Sequence, residues 1–284
     1  MTAIIETVKK MQAYSSSRIA EGKIIGFVPT MGFLHEGHLS LIREAKKHAD
    51  IVVVSIFVNP TQFAQNEDLD KYPRNFEKDF SLLEKENVDV LFFPEKEEIY
   101  GDNFQTYVNV ESISQKLEGE SRPSHFRGVT TIVSILFNAV KPNVVVFGQK
   151  DAQQAAIIKR MVNDLKFDIK IIIAPIIREA DGLAMSSRNV YLSDKERKES
   201  LILNETILSL KELALSGEYK TENLISAGVR KISNVDSAEL DYIKIVDSKS
   251  FEIVSNLKKG NEYFILIACK VGSTRLIDNI LFKL

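Results

Sequence analysis

The 284-residue chain balances 37 basic against 39 acidic residues, a formal net charge of −2, and is 44% hydrophobic and 27% charged. This composition supplies a sizeable core beneath a soluble surface and argues against a broad nucleic-acid footprint, although it leaves room for a local basic site. The single cysteine, Cys269, excludes an internal disulfide framework and a cysteine-clustered metal site. No apolar run reaches the ~20 residues of a membrane span. Residues 1–10 lack the apolar core of a signal peptide, so a cytoplasmic protein with no membrane partner is expected. The length permits one large domain or two modest ones.

Residues 4–19 are expected to form a first helix, ending before Glu21-Gly22. Residues 24–28 then read as a buried strand. Behind it Leu39, Ile42, Ala45 and Ala49 recur at helical spacing, with Arg43, Lys46 and Lys47 on the outer face. Residues 51–58 are almost unbroken in apolarity, which suits a strand covered on both faces. A polar loop runs to Arg74, followed by a helix at 76–86 and a strand at 88–93. Helix at 129–140, strand at 144–147, helix at 152–163 and strand at 169–174 continue the alternation, which implies a parallel, doubly wound sheet.

After about residue 176 the pattern changes. A loop at 178–191 leads to a long amphipathic helix at about 194–215, opened by Ser193 and Glu196 at capping-box spacing. A second helix is expected near 221–232, and strands at 240–246 and 263–271 suggest antiparallel partners. Two domains follow: residues 1–176, and a smaller α+β region of residues 177–284. Cys269 lies in the second of those strands and reads as a buried packing residue.

Ligands of doubly wound sheets sit beyond the carboxyl ends of the strands, and four motifs fall there or in the joining loop. The first is Pro29-Thr30-Met31-Gly32-Phe33-Leu34-His35-Glu36-Gly37-His38. Two imidazoles beside a helix N-terminus, with glycines bracketing the turn, make a plausible polyphosphate cradle. The second holds Asn59 and Gln62. Their amides can both donate and accept, which suits a small polar substrate, while Asn59-Pro60 on spacing alone reads as an ordinary turn and Gln62 does not. The third is Gly148-Gln149-Lys150-Asp151-Ala152-Gln153-Gln154. Here Asp151 is placed to cap a helix, and Lys150 is either a phosphate ligand or an exposed lysine. Gln154 lies one turn beyond it. The fourth is Met185-Ser186-Ser187-Arg188, where two hydroxyls and a guanidinium suit phosphate oxygens or a helix cap with a surface arginine. Arg122, near His125, suits phosphate but reads alone as a solvated side chain. Asp68, Asp70 and Asp79 lack the dense spacing of an all-protein metal cage, whereas magnesium held mainly by nucleotide phosphates needs only one or two carboxylates.

Taken together, and with Asp70-Lys71-Tyr72-Pro73-Arg74, Arg178-Glu179-Ala180-Asp181-Gly182 and Arg275-Leu276-Ile277-Asp278-Asn279, these segments closely resemble the pantoate–β-alanine ligase family over essentially the whole chain. The resemblance implies a Rossmann-like sheet domain with a C-terminal lid over the active site. It implies ATP-dependent condensation of (R)-pantoate with β-alanine through pantoyl adenylate, with Mg2+, in a homodimer. His38, His35, Lys150 and Arg188 would then be catalytic. Met31 to His38, Gly148 to Asp151, Ile177 and Met185 to Arg188 would contact ATP. Gln62, Gln154, Pro29, Thr30 and Asn59 would hold pantoate, with Gln62 also meeting β-alanine. Gln149 stands where some members have glutamate. Lys78 precedes Asp79 where some have consecutive aspartates, which leaves Asp79 as a weak metal candidate. The alternative is a nucleotidyltransferase acting on a phosphorylated small molecule, which would share His-x-Gly-His but would not need Gln62 and Gln154. A non-enzymatic nucleotide-binding module would bind ATP without turnover.

Overall fold

The structure is a computed structural model that describes residues 1–64 and 67–284. Residues 65 and 66 of the expected polar loop lie outside the described residues. The chain divides into two compact units, one of residues 1–149 with 153–175 and one of residues 150–152 with 176–284.

The first unit begins with β1 (Ala3–Ile5), α1 (Val8–Ala20), β2 (Ile25–Thr30) and α2 (Glu36–Lys46). It continues through β3 (Ile51–Ile56), α3 (Phe76–Lys85), β4 (Val90–Phe92), α4 (Lys96–Ile99), α5 (Glu118–Ser121) and α6 (His125–Val140), then β5 (Val144–Gly148), α7 (Ala152–Leu165) and β6 (Lys170–Ala174). The six strands are parallel in the order β1-β4-β3-β2-β5-β6. The doubly wound expectation therefore holds. Successive side chains of a strand face opposite ways, and two cores result. Phe27, Val53, Phe92 and Val145 join Met11, Val129 and Ile157 on one face. Val28, Val54, Leu91 and Val146 join Leu39, Ile42 and Leu83 on the other. Burying each such side chain is worth ~1.5–3 kcal/mol, and this explains the unbroken apolar run at β3.

Residues 4–19 are not one helix. Ala3–Ile5 pair in parallel with Val90–Phe92, and Thr7 starts α1 by accepting from the Lys10 amide at 3.3 Å. The helix expected at 129–140 starts earlier, at His125.

The second unit holds α8 (Asp194–Glu199), α9 (Ile202–Leu215), α10 (Thr221–Ile232), β7 (Ala238–Asp247), β8 (Glu262–Val271) and β9 (Thr274–Lys283). Its strands form the antiparallel sheet β7-β8-β9. Ile207, Leu210 and Leu224 pack with Ile243, Ile265 and Ile267. The Ser193–Glu196 capping box is present. The expected long helix breaks at Ser200 and Leu201, where the ladder tightens to i−3 bonds, Leu201 N to Lys198 O and Leu203 N to Ser200 O, both at 3.3 Å. Cys269 is fully buried, and burial pushes its thiol up to about 11. Among the described residues no helix is long and apolar enough to cross a membrane.

Candidate active site

Strand order reverses between β2 and β5, and the ends of these two neighbours carry the first and third motifs. Such a switch point leaves a crevice beyond the strand ends.

After β2 the backbone turns through two consecutive left-handed residues, Gly32 (φ 81°) and Phe33 (φ 51°). A Cβ on Gly32 would sit 2.9 Å from Ile56 Cγ2 and 3.0 Å from Asp79 Oδ2, so this glycine is required both for conformation and for space. Thr30 Oγ1 donates to Ser55 O at 2.8 Å and accepts from Gly32 N at 3.1 Å. The amides of Phe33 and Leu34 each donate to a carboxylate oxygen of Asp79 at 2.7 Å. His35 then caps α2 and His38 occupies its third position, with ring centroids 4.1 Å apart. The His35 amide donates to His38 Nδ1 at 3.3 Å. An accepting Nδ1 assigns the proton of the neutral His38 ring to Nε2. Both imidazoles are half-buried.

After β3, Asn59 caps the 3-10 turn Pro60–Gln62. Its Oδ1 accepts from Thr61 Oγ1 at 2.9 Å and from Tyr100 OH at 2.7 Å. Its Nδ2 donates to Gln62 Oε1 at 3.1 Å and Gly128 O at 3.2 Å. Asn59 is thus a buried hub that fixes Gln62, as well as a turn former. Gln62 Nε2 rests 2.9 Å from the Met31 sulfur, a weak acceptor. Gln62 O accepts from His125 Nδ1 at 2.9 Å and from Arg122 at 3.3 Å. Arg122 in turn grips Glu67 with two bonds of 2.7 and 2.6 Å, so it is not the solvated side chain expected. Burial and the Arg122 charge bring the pKa of His125 down to about 4. The close approach of α6 to this turn needs Gly128, whose added Cβ would lie 2.4 Å from Thr61 O. His125 is marked in the sequence only as the neighbour of Arg122, and no pattern singles out Tyr100 or Gly128 for the site. The one usable signal is a glycine inside an otherwise apolar helix.

In the third motif the two glutamines divide. Gln153 is buried and donates to Ile113 O and Lys116 O at 2.8 and 2.7 Å, whereas Gln154 is half-buried at the start of α7. In the second unit, Lys150 Nζ lies 3.7 Å from Asp151 Oδ1, and Lys150 O accepts from Asn279 Nδ2 at 2.9 Å.

The fourth motif lies in a loop with its own framework. Arg178 makes two bonds, 2.7 and 2.9 Å, to the buried Asp278 of β9, and a third to Gly182 O at 3.0 Å. Burial pushes the Asp278 carboxyl up while Arg178 pulls it back down. Met185 N donates to Ile177 O at 3.0 Å, joining two expected nucleotide contacts. Ser186 Oγ accepts from Arg188 N at 3.3 Å and caps the 3-10 turn Ser187–Tyr191.

Among the described residues no group of three or more His, Cys, Asp or Glu side chains fits a metal ion. Both oxygens of Asp79, the weak candidate, are engaged by backbone amides.

A family model described as pantoate-beta-alanine ligase matches residues 3–281. A pantothenate synthetase of Thermotoga petrophila is 51% identical over 276 residues, 97% of this chain and 98% of the relative. One of Chloroherpeton thalassium is 52% identical over 278 residues, 97% and 98% of the two chains. Among solved structures, the pantothenate synthetase of Thermus thermophilus superposes with a TM-score of 0.91 at 40% identity, covering 98% of this chain and 99% of that one. A Francisella tularensis pantoate-beta-alanine ligase, complexed with beta-gamma ATP and beta-alanine, gives 0.78 at 36% identity, covering 99% and 98%.

Proposed function

The chain belongs to the pantoate–β-alanine ligase family, and from that premise we propose how its residues divide the work of ATP-dependent pantothenate formation. The enzyme condenses pantoate with β-alanine using ATP. In the first step the pantoate carboxylate attacks the α-phosphorus of ATP and diphosphate departs, giving pantoyl adenylate. In the second the β-alanine amine attacks the acyl carbon and AMP departs. The substrate supplies its own nucleophile, so positioning and charge stabilisation carry the rate.

His38 donates through Nε2–H to the phosphate oxygens, and His35 shares that contact. Lys150 and Arg188 stabilise charge on the α-phosphate and the departing diphosphate, with Ser186 and Ser187 as further donors. Met31 to Leu34, Glu36, Gly37, Gly148, Gln149, Asp151, Ile177 and Met185 line the nucleotide. Gln62 and Gln154 hold pantoate beside Pro29 and Thr30, and Gln62 also meets the incoming amine. Asn59 acts through Gln62. One observation carries this reading: Asn59 fixes the Gln62 carboxamide oxygen, while Nε2 rests on a thioether that a substrate oxygen can displace.

The described side chains form no group of three or more ligands for an all-protein magnesium site, and magnesium would be held mainly by ATP's phosphates. A cytoplasmic homodimer completes the reading, on the family resemblance. The family match over 279 positions, 3–281, favours the ligase over a nucleotidyltransferase with a phosphorylated substrate.

Pantoate-dependent exchange of diphosphate into ATP, without β-alanine, tests the first step. His38→Ala and Lys150→Ala are expected to lower it by about 10²–10³ while the far-UV circular dichroism stays unchanged. Near-normal exchange in both would remove them from the chemistry.

A further inference from the structure

The turn that delivers His35 and His38 is an unfavourable piece of backbone. Phe33 is a non-glycine residue at φ 51°, a conformation that costs on its own and persists only when its surroundings impose it. Packing does not impose it fully, because a cavity of about 490 Å3 lies against Met31, Gly32, Phe33 and Asp79. Two successive left-handed residues do turn the amides of Phe33 and Leu34 into one concavity, the kind of backbone nest that takes an anion. The anion there is the buried carboxylate of Asp79, one oxygen per amide.

The helix that carries Asp79 is itself fixed at both ends. Asn75 caps α3 by accepting from the Lys78 amide at 3.0 Å. Beyond the other end Glu86 is bound by Arg43 of α2, with Nε–oxygen distances of 3.0 and 3.2 Å, and Arg43 also binds Glu36. The motif is therefore braced from α3 on both sides of His35. Lys78 places its ammonium 5.5 Å from the centre of the Phe33 ring.

We propose that Asp79 is a positioning residue for the reaction: its carboxylate, acting as an anion bound by the backbone rather than as a metal ligand, holds the turn 32–34 that aims the two imidazoles. This rests on the catalytic reading of His38. Asparagine at the same place keeps the volume but turns one acceptor into an NH2 that faces an N–H, so one amide loses its partner.

The test is Asp79→Asn in the full chain, read three ways. Pantoate-dependent diphosphate exchange is expected to fall about 10²-fold in kcat, the scale of a small misplacement of a catalytic group, with KM for pantoate unchanged. The magnesium concentration needed for half-maximal rate is expected to stay at the wild-type value. Imidazole NMR signals of His35 and His38 are expected to shift, whereas those of His48 and His125, the other two of the four histidines, stay in place. A wild-type kcat overturns the proposal, as does activity restored by added magnesium. Undisturbed His35 and His38 signals overturn it too. If Asp79→Asn shifts all four histidines, Gly32→Ala is read instead, because its methyl crowds Asp79 Oδ2 and must give the same pattern of shifts and kcat loss. Absence of pantoate-dependent exchange in the wild type would sink the functional reading, while the NMR arm would still test the clamp.

Discussion

Asp79 and Asp278 are buried to nearly the same degree, 2% and 4% exposed, and each anchors a loop that carries proposed site residues. Asp79 holds its loop by two backbone amides of the parallel unit. Asp278 holds its loop by a guanidinium in the antiparallel unit, a two-bond pair with Arg178. The first arrangement depends on backbone shape and on one side chain. The second depends on two charges, each of which is costly to bury without the other.

The two arrangements should break differently. Asp278→Asn leaves Arg178 without its counter-charge, and the expected cost is about 3 kcal/mol, the lower range for breaking a buried pair. Arg178 keeps some exposure, which favours that lower figure. Urea unfolding checks it, and a double variant with Arg178→Met should cost less than the sum of the single changes. Asp79→Asn is expected to cost less stability, about 1–3 kcal/mol for one unsatisfied buried amide, yet more activity per unit of stability lost. If both variants lose activity only in proportion to stability, the contrast fails.

A pH series sharpens the comparison by probing the neutral support of Gln62. The unfolded chain protonates His125 near 6.5, but the folded chain does so only at about 4. Stability from neutral His125 is thus complete above pH 6.5 and is lost as pH falls toward 4, by on the order of 3 kcal/mol at most. Burial alone would raise Glu67, but the Arg122 bonds hold it below its usual 4.5. Its own loss begins only below that value, and the interval above it reports His125. His125→Gln should flatten the urea midpoint in that interval. The smallest expected effect is that of Lys78→Ala, about 0.5 kcal/mol for an exposed cation–π contact. A larger loss would mean that Lys78 shares the clamp.

How much of this is legible in the sequence follows from where each signal resides. Strands covered on both faces, such as β3, announce themselves as apolar runs, and helices with one buried stripe do so by period. β1 reads as helix because three residues, Ala3–Ile5, become a strand only through their distant partner Val90–Phe92. β9 escapes the pattern, since its buried Asp278 and Asn279 make a polar interruption that only Arg178 and Lys150 O explain. The helix break at Ser200 and Leu201 is a local tightening of the backbone ladder, which the apolar period does not record. At the site, the motifs mark His35, His38, Asn59 and Gln62. The sequence marks Asp79 only as a metal candidate and His125 only beside Arg122; their supporting roles, like those of Tyr100 and Gly128, arise from proximity, which no local pattern records.

The most direct test of the account measures AMP release from ATP and magnesium with pantoate and β-alanine, supplied singly and then together. Sustained turnover only with both, yielding pantothenate, is the predicted result. Nucleotide binding without AMP release when both are present would contradict it.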